Sequence, residues 1–281
     1  MKIISKPSVI QKKIRVLKSH GRTVGLVPTM GALHEGHLSL IKRSVAENDV
    51  TVVSIFVNPA QFGPAEDYSK YPRPFAKDAS VCRRAGVDMI FAPRPADMYP
   101  EGYLTYISVE KITDIMCGFY RPGHFRGVAT VVAKLFNISM PDKAYFGLKD
   151  YQQFVVIKKM ATDLNFPVSV AACPIVRGKD GLALSSRNAY LSPEERKKAL
   201  SLSASLQNAR NLIKYKDVVS VAKIISGIKN ALSGSVSRID YVEVRDAATL
   251  AELKSIDRKK RAVIAVAAFV GKTRLIDNVI V

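Results

Sequence analysis

Tryptophan is absent from this chain, histidine occurs four times and cysteine three times in 281 residues. The cysteines, Cys82, Cys117 and Cys173, are odd in number, far apart and form no CxxC pair. That argues against a disulfide framework or a cysteine-rich zinc site and leaves buried free thiols. No run of 18 or more apolar residues occurs; the longest comparable stretch, AVIAVAAFV at 262–270, is half that length and reads as a buried strand. The basic N-terminal stretch MKIISKPSVIQKKIRVLKSHG has neither a continuous apolar core nor a small-residue cleavage site, so we expect a cytoplasmic protein with no membrane partner. The Walker A pattern is missing too, and no GxGxxG follows the first strand-like run, so ATP, if used, is bound by another route. Internal repeats and low-complexity tracts are lacking.

Positive charge is what the chain has in excess: 43 Lys and Arg against 24 Asp and Glu, a net charge of +19. Such a surplus can serve nucleic acid, membrane surfaces or anionic substrates. Here the basic residues are spread along the whole chain. The densest run, RKKR at 258–261, precedes a strand and reads as a solvated loop. The aromatics are scattered rather than interleaved with the basic residues, so we expect no nucleic-acid partner.

Runs of β-branched residues alternate with helical patterns over the first two thirds. Residues 23–29, 50–59, 87–93, 143–147 and 167–174 read as strands, with helices over 37–48, 75–85, 125–139 and 150–164. The continuous apolar character of 50–59 signals burial on both faces. This order predicts an α/β, Rossmann-like doubly wound parallel sheet over 1–175, with ligands at the carboxyl ends of its strands. Further on, 191–215 and 220–232 read as helices. Ser192, Pro193 and Glu195 open the first of them as a capping box. Three strand-like runs, 239–247, 261–271 and 273–281, then predict an antiparallel sheet. We therefore expect a smaller α+β domain over 176–281.

Two of the four histidines lie three residues apart in VPTMGALHEGHLSL, 27–40. A strand ending at Thr29 delivers the chain to the ligand edge of the sheet. Gly31 permits a tight turn, and His34 and His37 at i and i+3 share one face at a helix N-terminus. Unpaired N–H groups and the positive dipole end add to make an anion site suited to a nucleotide. The same spacing could hold a metal with a third ligand from elsewhere, or could be ordinary capping and surface histidines. A second stretch, GLALSSRNAYLS at 181–192, places Ser185, Ser186 and Arg187 in one loop, a phosphate clamp of two hydroxyls and a guanidinium. Alone it is a serine-rich turn. Together the two stretches resemble the HIGH and KMSKS pair of the nucleotidyltransferase superfamily that includes class I aminoacyl-tRNA synthetases. FVNPAQFG (56–63) offers Asn58 and Gln61 to hydroxyls and a carboxylate. FGLKDYQQ (146–153) offers Lys149 to phosphate, Asp150 to ribose, and Gln153. RPGHFRGV (121–128) adds His124 and two arginines. Taken singly, each amide is as readily a turn or helix-surface group.

The set PTMGALHEGH, SIFVNPAQFG, FGLKDYQQ and LSSRN, in that order, with flanking YPR, GHFRGV and TRLIDN, resembles the pantoate–β-alanine ligase (pantothenate synthetase) family over nearly the whole chain. The resemblance implies a two-step reaction. Pantoate and Mg-ATP give a pantoyl adenylate and pyrophosphate, and β-alanine then gives pantothenate and AMP. Carried over by motif, it implies that Met30, Gly31, Ala32, Leu33, His34, Glu35, Gly36 and His37 line the ATP site. His34 and His37 would contact phosphate, with His37 as proton donor. It also implies that Gly147, Leu148, Lys149 and Asp150 hold ribose and phosphate, that the Val176 backbone meets adenine, and that Leu184, Ser185, Ser186 and Arg187 close over the triphosphate. His37, His34, Lys149 and Arg187 would be the catalytic group, and Gln61, Gln153 and Asn58 the substrate-binding amides. The resemblance further implies Mg²⁺ as a partner of ATP with no protein metal site, no organic prosthetic group, and a homodimer. We expect the C-terminal domain to act as a lid that keeps water from the adenylate.

Two positions depart from the family pattern. Leu148 stands where an acidic residue is usual, and Leu184 where methionine is usual. The second swap conserves volume; the first removes a charge near the nucleotide. An aminoacyl-tRNA synthetase would need an anticodon-binding region that the chain has no room for. An adenylyltransferase acting on a phosphate ester is typically one small domain and would not need the paired glutamines.

Overall fold

Parallel strands, the central ones buried on both faces, form the larger sheet in the computed structural model, which describes residues 1–64, 66–216, 219–257 and 259–281. The strands are β1 (Lys2–Ile4), β2 (Val24–Thr29), β3 (Val50–Ile55), β4 (Met89–Phe91), β5 (Lys143–Gly147) and β6 (Ser169–Cys173), in the order β1-β4-β3-β2-β5-β6. Every neighbouring pair is parallel. The order reverses between β2 and β5, so the expected doubly wound sheet is present, with its switch point beside the carboxyl end of β2. The connecting helices are α1 (Pro7–Ser19), α2 (Glu35–Glu47), α3 (Phe75–Arg84), the single turns α4 (Pro95–Met98) and α5 (Cys117–Tyr120), α6 (His124–Ser139) and α7 (Tyr151–Asp163).

The differences from expectation have local causes. The strand expected over 50–59 stops at Ile55; residues 56–58 leave the sheet, and a 3-10 turn, Pro59–Gln61, follows with the Asn58 side chain as its cap. β1 and α1 are additions to the expected elements: β1 has three residues and takes its place only by pairing with the distant β4, while α1 carries the helical signals of Pro7 at its start and Ile10 and Ile14 on one buried face. His34 is not on the helix face with His37. It is the N-cap of α2, with an extended backbone at φ −132°.

Helix α2 forms because a cap is present and because Leu40, Ile41 and Ser44 fall on one buried face. Leu40 and Ile41 join Val27, Val53, Ile90 and Tyr145 in one core, each such side chain contributing about 1.5–3 kcal/mol of burial. Beside it, Arg43 donates to Glu47 at 2.8 Å and to the Ala172 carbonyl at 2.7 Å, tying α2 to β6.

The second sheet is antiparallel, β7 (Arg238–Asp246), β8 (Ala262–Val270) and β9 (Thr273–Ile280), with β8 in the middle and buried almost throughout. Helices α8 (Pro193–Lys216) and α9 (Val221–Leu232) supply Leu202, Leu206, Ile224 and Ile228 to its core. The capping box of α8 is present: Glu195 N–H donates to Ser192 Oγ at 3.2 Å, and Ser192 N–H donates to Glu195 Oε2 at 2.9 Å. The chain divides into two compact units: Met1–Leu148 with Val156–Pro174, and Lys149–Val155 with Ile175–Val281. Of the RKKR run, residue 258 lies outside the described residues; Lys259, Lys260 and Arg261 are exposed. Among the described residues no helix is long and apolar enough to cross a membrane.

Candidate active site

In the first unit the chain leaves β2 at Thr29 and turns sharply. Gly31 has φ +82° and Ala32 φ +50°, so two left-handed residues follow one another, at no steric cost to the glycine and about 1–2 kcal/mol to the alanine. The turn is held from below. Thr29 Oγ1 accepts the Gly31 N–H at 3.1 Å and donates to the Ser54 carbonyl. Asp78, 1% exposed on α3, accepts the N–H groups of Ala32 at 2.8 Å and Leu33 at 2.9 Å.

This turn presents the imidazoles. His34 Nδ1 accepts the Gly36 N–H at 3.1 Å, and His37 Nδ1 accepts the His34 N–H at 3.4 Å. In the neutral form of either ring the accepting nitrogen carries no proton, so the hydrogen sits on Nε2, which is a donor. The ring centroids lie 4.1 Å apart. Two imidazole donors thus stand at the positive end of a 13-residue helix, with Glu35 exposed in its first turn.

Gln61 comes to the same loop. It is buried, and its Nε2 lies 3.2 Å from Met30 Sδ. Asn58 Nδ2 donates to Gln61 Oε1 at 3.1 Å and to the Gly127 carbonyl at 3.2 Å. Asn58 Oδ1 accepts from Tyr99 Oη at 2.8 Å and from the Ala60 N–H at 3.3 Å. Burial pushes the Tyr99 phenol well above its usual range, so it stays a donor. Both ends of the Asn58 amide thus bond to protein groups, one of them Gln61. The Gln61 carbonyl accepts His124 Nδ1–H at 2.8 Å, while Arg121 donates to His124 Nε2 at 3.2 Å and pairs with Glu66. Gly127 is required where α6 meets this turn, since a Cβ there would lie 2.1 Å from the Ala60 carbonyl oxygen.

The first unit also holds Gly147 at the end of β5 and Leu148 in the turn after it. In the second unit Lys149 Nζ lies 3.9 Å from Asp150 Oδ1, and its side chain is 19% exposed. Asn278 Nδ2 donates to the Lys149 carbonyl at 2.9 Å. Gln153 is half-buried in the first turn of α7. Val176 and Leu184 face each other across a hairpin, joined by Leu184 N–H to the Val176 carbonyl at 3.0 Å. Ser185 caps the 3-10 turn Ser186–Tyr190, its Oγ accepting the Arg187 N–H at 3.3 Å. Asn188 Nδ2 donates to the Ala183 carbonyl at 3.0 Å, so the loop returns on the hairpin that carries it. Among the described residues no group of three or more His, Cys, Asp or Glu side chains is placed to hold a metal ion.

A family model described as pantoate-beta-alanine ligase matches residues 2–280. The chain belongs to the pantoate–β-alanine ligase family. The ligase is 55% identical over 283 residues to the pantothenate synthetase of Acetivibrio thermocellus, covering 100% of this chain and 99% of the other. It is 52% identical to that of a Sulfurihydrogenibium species, covering 99% of each. Among solved structures, pantothenate synthetase from Thermus thermophilus superposes with a TM-score of 0.92 at 45% identity, covering 99% of each chain. The Francisella tularensis ligase, whose crystal structure is a complex with beta-gamma ATP and β-alanine, gives 0.80 at 34%, covering 99% of this chain and 97% of the other.

The reaction of the ligase is therefore the joining of pantoate to β-alanine. Several of its polar residues escape a reading by motif. Asp78 and Tyr99 stand 46 and 41 positions from the residues they hold, and each is an unremarked polar residue within its own segment. Their one sequence signal is polarity where a helix or turn otherwise buries apolar groups.

Proposed function

We propose that the ligase activates pantoate as an acyl adenylate. A carboxylate oxygen of pantoate forms a bond to the α-phosphorus of ATP, the bond from that phosphorus to the bridging oxygen breaks, and pyrophosphate leaves. The free amine of β-alanine then attacks the acyl carbon. The carbon–oxygen bond to the phosphate breaks, giving pantothenate and AMP.

The observation that carries this reading is the imidazole pair: two Nε2–H donors, rings 4.1 Å apart, at the N-terminus of α2. In-line displacement at phosphorus needs positioned positive charge and hydrogen bonds more than covalent help. We assign His37 and His34 to phosphate oxygens, with Met30, Gly31, Ala32, Leu33, Glu35 and Gly36 lining the nucleotide. A neutral imidazole serves as well as a charged one, because the Nε2–H is the group that acts.

Lys149 and Arg187, with the Ser185 and Ser186 hydroxyls, are assigned to the departing pyrophosphate. Gly147, Leu148 and Asp150 are assigned to ribose and phosphate, the Val176 backbone to adenine, and Leu184 to the same segment. Gln61 and Gln153 bind pantoate as neutral amides, which leaves its carboxylate nucleophilic; Asn58 acts by orienting Gln61. Mg²⁺ enters with the triphosphate, bound by phosphate and water. Residues 176–281 shield the adenylate from water. We take the enzyme to be a cytoplasmic homodimer; exposed Leu104 and Phe119 offer apolar surface for association.

The test is a product assay with Mg-ATP, pantoate and β-alanine, each omitted in turn, beside His37→Ala. AMP and pantothenate that require both organic substrates, and that fall by two orders of magnitude or more in the variant, support the reading. Formation of ADP instead of AMP, or an unaffected variant, overturns it.

A further inference from the structure

Two adjacent polar residues on β9, Asp277 and Asn278, have no part in the roles assigned above. Both are 3% exposed, and both are paired with the buried central strand β8, Asp277 opposite Val266 and Asn278 opposite Ala265. Asp277 receives both arms of Arg177, Nη1 at 2.6 Å and Nη2 at 2.9 Å, and also accepts the Asn278 N–H at 2.8 Å. Arg177 directly follows Val176. Its Nη1 donates to the Gly181 carbonyl at 3.2 Å, and its backbone bridges Ala183, so it grips both arms of the hairpin that ends in Leu184. Asn278 turns to the other segment and holds the Lys149 carbonyl at 2.9 Å.

We propose that Asp277 and Asn278 are positioning residues that reference Lys149 and the loop Leu184, Ser185, Ser186 and Arg187 to one rigid strand, and so set where the pyrophosphate-binding cations stand. The inference rests on the reading that Lys149 and Arg187 act on ATP. A forked Arg–carboxylate pair fixes direction as well as distance. A backbone held at its carbonyl by a buried amide fixes the root of the lysine, whose long side chain would otherwise search a wide volume. The two segments are more than 25 residues apart in sequence, so without a common reference their separation would follow every loop fluctuation between them. A buried ion pair alone is weak evidence for stability, but two neighbouring polar groups aimed at the two phosphate-binding segments form a register device.

The experiment is steady-state kinetics with each substrate varied in turn, on Asn278→Ala, Arg177→Lys, Lys149→Ala and the double variant Asn278→Ala/Lys149→Ala, with Tm measured on each. Asn278→Ala should raise the KM for ATP about tenfold, while the KM values for pantoate and β-alanine stay within about twofold. Arg177→Lys, which keeps the charge and loses the fork, should shift the same constant in the same direction. The double variant should be no worse than Lys149→Ala by more than about twofold, because both changes remove one function. A normal ATP KM in Asn278→Ala, a loss shared equally by all three substrates, or an additive double variant overturns the inference while the reading of Lys149 stands. If Asn278→Ala does not fold, Arg177→Lys decides, and a normal ATP KM there overturns the inference. If Lys149→Ala itself leaves ATP kinetics unchanged, the reading of Lys149 fails and this inference with it.

Discussion

Asn58 Nδ2 donates to Gln61 Oε1 at 3.1 Å, and this bond decides which way the Gln61 amide faces. Tyr99 and Ala60 occupy the Asn58 oxygen as donors, so its NH₂ must point to Gln61 and to the Gly127 carbonyl. Gln61 is left presenting its own NH₂, the group that suits a carboxylate or hydroxyl oxygen. Asn58→Asp replaces that donor with an acceptor of the same shape. We expect the KM for pantoate to rise by about ten- to a hundredfold, the cost of one to two good hydrogen bonds, with the KM for ATP little changed. Tyr99→Phe should act in the same direction and less. Steady-state kinetics with pantoate varied checks both; an unchanged pantoate KM in Asn58→Asp would refute the relay.

Asp78 is the second positioning group, and its effect should fall on the nucleotide. Its carboxylate takes two backbone N–H groups from a turn in which Ala32 already sits at φ +50°. Asp78→Ala removes the carboxylate that both donors share. We expect a loss of about 1–3 kcal/mol of stability and a fall in kcat/KM for ATP of at least tenfold. Urea unfolding at pH 7 and kinetics at a temperature where the variant is folded separate the two effects. A variant with wild-type stability would show that the turn holds itself.

The order of the sheet and the site was legible to different depths. Strands β2 and β3 announced themselves because central parallel strands covered on both faces read as apolar, β-branched runs, and β4 to β6 as short apolar segments between helical patterns; Glu195 marked the cap of α8 by its spacing from Ser192. His34 and His37 were expected together at the mouth of a helix that follows a strand, and both stand there, but the spacing placed His34 on the helix, where the structure makes it the cap. That distinction depends on φ at one residue. The bonds of Asn58 were not legible, since one sequence shows an amide beside a glutamine and not the Tyr99 hydroxyl that donates to it. Asp78 and Tyr99 were invisible for the same reason: their partners are brought near by the fold of α3 and the turn of α4. β1 was lost because three residues carry no period.

All three cysteines are buried and outside any disulfide, and Cys82 is the least accessible, with no exposed surface. Burial, with a smaller contribution from the Asp78 carboxylate, pushes its thiol up to about 11. The thiolate is the reactive form. At pH 8 a group of this kind is about 0.1% thiolate, against about 10% for a thiol near 9. Alkylation of the folded ligase at pH 8 should therefore leave Cys82 unlabelled long after a small thiol standard has reacted. Going from pH 8 to pH 9 should speed its labelling about tenfold. Peptide mass spectrometry after timed quenching reads this directly, and rapid labelling of Cys82 at pH 8 would contradict it.

In the proposed reaction the pantoate carboxylate itself attacks the α-phosphorus of ATP. Pantoate labelled with ¹⁸O in both carboxylate oxygens, turned over with Mg-ATP and β-alanine, tests this by the fate of one atom. Adenylation predicts one ¹⁸O in the phosphate of AMP and the other in the new amide carbonyl of pantothenate. AMP without label, or label in inorganic phosphate, would mean that pantoate is activated in another way, and the role given to His34 and His37 would fall with it.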